Sequence, residues 1–195
     1  YARETVLGAT GTLERRVNWW SVLALLRALA SSPRAAQQTL ATRSAALGGE
    51  SSVEVDALGR AAVLDLADDE TLESVDIAPG ADASTETGTP QQRRLRGFLK
   101  RAAALEGSDD RKLTAIATQV KGLLADGYSP IVFCRFIDTA EYVAAHLTKA
   151  LGKGTTVASV TGMLPPSERV ARIATLGEVD GPRVLVATDC LSEGV

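Results

Sequence analysis

The sequence predicts an α/β protein, a parallel sheet flanked by helices, preceded by an N-terminal helical extension and an acidic mobile segment. Three observations carry this. From residue 109 onward, short apolar runs alternate with amphipathic stretches through short loops, the pattern of parallel strands joined by right-handed crossovers. The run RVLVATDCLSEGV (Arg183 to Val195) leads a buried-type strand directly into a compact polar loop, which is where parallel sheets place their ligand sites. Between Gly49 and Pro90, 11 acidic residues accompany one basic residue, Arg60, and no aromatic residue. That composition buries too little apolar surface to offset the entropy of ordering.

Composition sets the frame for these elements. Hydrophobic residues at 45% and charged residues at 23% suit a soluble globular protein. Val22 to Leu26, the best apolar stretch, is cut by Arg27, so no membrane span or membrane partner is expected. Cys134 and Cys190, the only cysteines, are expected as free thiols in a reducing compartment, and a cytoplasmic location follows. The net charge of -3 is unevenly distributed, because residues 49–90 carry -10 and the rest about +7. Arginine makes up 16 of the 21 basic residues, which suits phosphate recognition and equally an arginine-biased genome. The chain begins at Tyr1, has its only methionine at Met163 and stops inside its last motif, so it reads as a piece of a longer protein.

The elements follow in order. Glu14 to Ala30 is an amphipathic helix with Trp19, Val22, Leu23, Leu26, Leu29 and Ala30 inward. Ser31, Ser32 and Pro33 end it and cap a second helix running from Arg34 to about Leu47, where Gly48 and Gly49 stop it. Residues 1–48 thus form the helical extension and 49–90 an acidic linker or insertion. Within the latter, Ala61 to Glu70 imitates a magnesium-holding strand with carboxylates, but no partner phosphate loop is present and a solvated charge run is the simpler reading. A basic helix, Gln91 to Glu106, opens the lobe assigned to residues 91–195, and its charge run reads most simply as a solvated face. Asp109 to Ala125 is the next helix, with Leu113, Ile116, Val120, Leu123 and Leu124 inward and Gly127 closing it. Then come a strand at Pro130 to Cys134, a helix at Thr139 to Leu151 capped by an Asp138/Glu141 box, a strand at Thr155 to Val160, a helix at Pro165 to Leu176, and a strand at Arg183 to Ala187.

Two features that suggest chemistry reduce to local structure. Gly152, Lys153, Gly154 and Thr155 lack the upstream glycine and the Ser/Thr after lysine that a phosphate loop needs, and they follow a helix, so they read as a turn. His146, the only histidine, has no partner at metal-ligand spacing, and no metal site is expected.

What remains is three strand-end loops sharing one sheet edge: PIVFCRFIDTAEYV (Pro130 to Val143), SVTGMLPPSERV (Ser159 to Val170) and RVLVATDCLSEGV. Backbone amides, hydroxyls and helix N-termini gathered there can hold phosphates. In order and spacing these segments resemble the second RecA-like domain of superfamily 2 helicases and translocases. The first resembles motif IV, Thr161–Gly162 the threonine-glycine motif that follows, and the third motif V, its TD-x-x-SEG form being closest to Swi/Snf-like bacterial helicase-related proteins. The resemblance implies a RecA-like sheet truncated at its C-terminus, with Arg135, Thr161, Gly162 and Thr188 against a nucleic-acid backbone. It also implies Asp189, Glu193 and Gly194 at the nucleotide cleft between two lobes.

By the same resemblance the chain is the C-terminal lobe of an ATP-dependent helicase or translocase, with DNA or RNA and a first RecA-like lobe as partners. ATP and Mg2+ would belong to the full-length protein. No catalytic residue is expected to suffice in this chain alone, because phosphate loop, acidic box and arginine finger are all missing from it. Local readings remain beside these: Thr161–Gly162 as a simple turn and Asp189 as a helix cap. The rival function is a non-catalytic interaction module on a helicase-like fold.

Overall fold

The computed structural model describes Gly8, residues 11–42 and residues 90–191. The expectations for residues 49–89, for Glu193 and for Gly194 lie outside these. The chain divides into two compact units, residues 1–104 and 105–195.

In the first unit three helices are described: α1 (Thr12–Ser31), α2 (Pro33–Thr42) and α3 (Pro90–Ala104). Ser32 joins the first two as expected. Its amide donates to the Ala28 carbonyl, closing α1, and its hydroxyl accepts from the Ala35 amide at 3.1 Å, opening α2 with Pro33 at the first helical position. α2 packs against both α1 and α3. The sequence groups the basic helix with the lobe; in the structure it contacts α2 of the first unit.

The buried side of α1 differs from the expected one. Val22 is buried as expected, but Ala24, Leu25 and Ala28 are buried beside it, whereas Trp19 is 51% exposed and Leu26, Leu29 and Ala30 are also exposed. Alanines on facing helices permit close approach, and the bulky residues are left on the flank.

The second unit opens with a short 3-10 turn, Gly107–Asp109, and helix α4 (Arg111–Ala125). Asp110 caps α4, its carboxylate accepting from the Leu113 amide at 3.0 Å. Gly127 (φ 84°) ends it: the Gly127 amide donates to Leu124 and the Tyr128 amide to Leu123, a double closure that a residue with positive φ permits. The inner face is Leu113, Ala117 and Val120 with Ile116 and Leu124 beside them, while Leu123, expected inward, is exposed.

Then follow β1 (Ile131–Phe133), α5 (Ile137–Leu151), β2 (Thr156–Val160), α6 (Pro166–Gly177) and β3 (Arg183–Ala187). The predicted Asp138/Glu141 pair is not at the helix start: α5 begins two residues early, at Ile137, preceded by the buried Phe136, whose side chain makes no cap, and Asp138 sits in the first turn. Burial of Phe136 sets the entry point in place of cap chemistry. Gly152 (φ 72°) makes the turn before β2.

All strands are parallel in the order β1-β3-β2. β3, last in sequence, is central and buried on both faces, as its unbroken apolar run requires. Val184 and Val186 face a core shared with Cys134, Leu113, Val120, Val143 and Leu147. Leu185 and Ala187 face another with Val160 and Leu176. The crossover through α5 runs outward past β3 and the one through α6 returns, so right-handed connections put these helices on opposite faces. This mixed helix-and-strand architecture, a parallel sheet flanked by helices, is consistent with the RecA-like fold that the sequence predicts.

Candidate functional site

The register aligns Phe133, Ala187 and Val160, so the residues that follow each of them leave the sheet at one edge. Because the chain runs from β1 to one face and from β2 to the other, β3 ends at the reversal between them, where open α/β sheets form their crevice. The ladder persists one step beyond the strands: the Cys134 amide donates to the Ala187 carbonyl at 2.7 Å and the Thr188 amide to the Val160 carbonyl at 3.2 Å.

Thr188 links the loops. It is fully buried, its Oγ1 accepts from the Gly162 amide at 3.2 Å, and its hydroxyl donates to Cys190 Sγ at 3.3 Å. A residue from the third predicted segment is thereby bonded to one from the second. Thr161 beside it is buried as well, and its carbonyl accepts from the Leu164 amide at 3.1 Å, so the turn read from Thr161–Gly162 is present. Arg135 from the first segment lies with Nη1 3.8 Å from the Asp189 carboxylate of the third, both partly exposed. Asp189 opens a 3-10 turn, Asp189–Leu191. Of the seven predicted site residues, five are therefore brought to one edge, and Glu193 and Gly194 lie outside the described residues.

The sequence reading missed Arg169. Projecting from α6, it is only 4% exposed, and its Nε donates to the Leu164 carbonyl at 2.7 Å while Nη2 donates to the Gly162 carbonyl at 3.2 Å. One planar fork thus holds both ends of the loop carrying Gly162. Its signal in the sequence is only an arginine in the first turns of a helix that follows a Thr-Gly turn. A second arginine, Arg172, donates to the Ser159 carbonyl at 3.0 Å and to Glu168 Oε1 at 2.9 Å, tying α6 to the end of β2.

The thiols differ in setting. Both are free; Cys134 is buried, and burial pushes its thiol up to about 11, so it is an inert core group at neutral pH. Cys190 is half-buried beneath Thr188. His146 lies half-buried on α5. Among the described residues no group of three or more His, Cys, Asp or Glu side chains could hold a metal ion, and no helix is long and apolar enough to cross a membrane.

The fold defines a parallel α/β lobe whose strand-end loops meet at one edge. Residues 111–195, from the start of α4 onward, match the helicase conserved C-terminal domain family, which supports a helicase-type C-terminal lobe over that segment. No curated protein and no solved structure matches the chain.

Proposed function

We propose that the lobe is the C-terminal half of an ATP-dependent nucleic-acid helicase or translocase of the Swi/Snf-like kind. In this reading it binds a strand backbone at its loop edge and completes a nucleotide site with a first RecA-like lobe. The observation that best supports this is the bonded arrangement of the three loops, Arg135 to Asp189 and Gly162 to Thr188, at the reversal point of a sheet whose segment matches the helicase family. Preorganised loops hold a backbone without ordering cost at binding. Backbone contacts carry no sequence information, so binding is sequence-independent.

The roles divide by exposure. Arg135 and the Gly162–Met163 turn present surface to a strand, whereas Thr161 and Thr188 work from beneath, fixing the backbone that does so. Asp189, 46% exposed beside a guanidinium, suits one wall of a nucleotide cleft better than a metal cage. Glu193 and Gly194 are assigned to that same wall. Bound between two lobes, Mg2+ and ATP would supply phosphoanhydride hydrolysis; this chain contributes Asp189 and Glu193 to the site and holds the strand.

The test uses the intact two-lobe protein. Arg135→Gln should chiefly weaken strand binding, and Glu193→Ala chiefly the nucleic-acid-stimulated ATPase rate. Wild-type binding and turnover in both variants, each well folded, would overturn the assignment and leave the interaction-module reading in its place.

A further inference from the structure

The charge that nucleic-acid binding needs is not in the lobe. Residues 105–195 carry nine basic residues against 11 acidic ones, a net of -2, whereas the helices α1, α2 and α3 carry nine basic residues against one acidic residue, Glu14, a net of +8. Sequence-independent affinity for nucleic acid comes mainly from cations that displace condensed counterions. A lobe of net negative charge supplies little of that term.

α3 has the form of such a contact. Five of its 15 residues are basic and none is acidic. Ala102 is buried, Phe98 and Leu99 are half-buried, and the helix packs on α2, while Arg94, Arg96, Lys100 and Arg101 are exposed. Arg96 and Lys100 lie about one turn apart, a rise of roughly 6 Å, while Arg94 and Arg101, seven residues apart, share the adjoining side of the exposed surface. The described apolar side chains Phe98, Leu99 and Ala102 of the helix are half-buried or buried, so they are not offered as a face to a lipid surface. What it presents outward is an array of phosphate-binding cations.

We infer that the basic face of α3 is a second contact for nucleic-acid backbone, outside the helicase-type lobe, supplying electrostatic affinity that the lobe lacks. This rests on the reading of the lobe as a nucleic-acid motor. The test measures anisotropy of a labelled single-stranded oligonucleotide with the full 195-residue chain across a salt series. Arg96→Gln/Lys100→Gln/Arg101→Gln keeps helix-forming residues at exposed positions, and far-UV circular dichroism checks that it is folded.

The triple variant should bind about tenfold or more weakly at 0.1 M salt, with the slope of log affinity against log salt reduced by about 2. Unchanged affinity and slope would overturn the inference, as would binding of the wild type to anionic vesicles but not to the oligonucleotide. Arg135→Gln is measured in parallel to separate the two readings. A loss confined to Arg135→Gln sinks the α3 contact and spares the lobe, and a loss confined to the triple variant does the reverse.

Discussion

At the scale of single residues, two side chains hold the site together from below. Thr188→Val keeps the shape and removes the hydroxyl, leaving the Gly162 amide without its acceptor. A loss of about 1–2 kcal/mol in chemical denaturation is expected, with Thr188→Ser close to wild type. Arg169→Lys keeps the charge but loses the planar fork, so one ammonium cannot serve the Leu164 and Gly162 carbonyls in the same way. Faster amide exchange across residues 162–164, with the helices unaffected, is the expected result. Sequence reasoning found Thr188 because it ends a strand, yet could not find Arg169, since nothing local distinguishes a buried arginine on a polar helix from a solvated one. Burial likewise could not be read for Thr188 and Thr161, because it depends on how the neighbouring loops pack.

At the scale of elements, local chemistry was legible where one residue decides the outcome. The serine-proline pair at Ser32–Pro33, the Asp110 cap and the Gly127 stop each fix a boundary through bonds made within a few residues. Ser32→Ala should cost about 1 kcal/mol, seen as a lowered thermal midpoint for the helical unit. Legibility failed where packing decides. The pattern around Trp19 announces an amphipathic helix, but which side of it meets α2 depends on the alanines of that partner. The Asp138/Glu141 spacing promises a cap, but the helix begins ahead of it, at Ile137, just after the buried Phe136.

At the scale of the whole molecule, the alternation of strands and helices made the parallel lobe readable, while strand order was not, since three parallel strands satisfy the same pattern in several orders. The buried core of that lobe has an alkaline weakness. The Cys134 thiol is raised to about 11, above its unfolded value near 9, so the unfolded chain loses this proton first. Stability should be unaffected by this group below about pH 9 and fall as pH rises from about 9 to 11. Denaturation midpoints over that window should decline less in Cys134→Ala, once its own cavity cost is measured at pH 7.

The placement of β3 at the centre has a consequence for how the lobe comes into being. β1 and β2 pair with β3 and not with each other, although some twenty residues of helix and turn are all that separates them in sequence. During synthesis from the N-terminus, β1 and β2 therefore leave the ribosome before the strand that pairs with both. Their backbone donors and acceptors have no ladder until Arg183 to Ala187 arrives between them. Among the described residues the ladder can therefore close only after β3 has been made, and the edges that β1 and β2 turn toward it stay open until then.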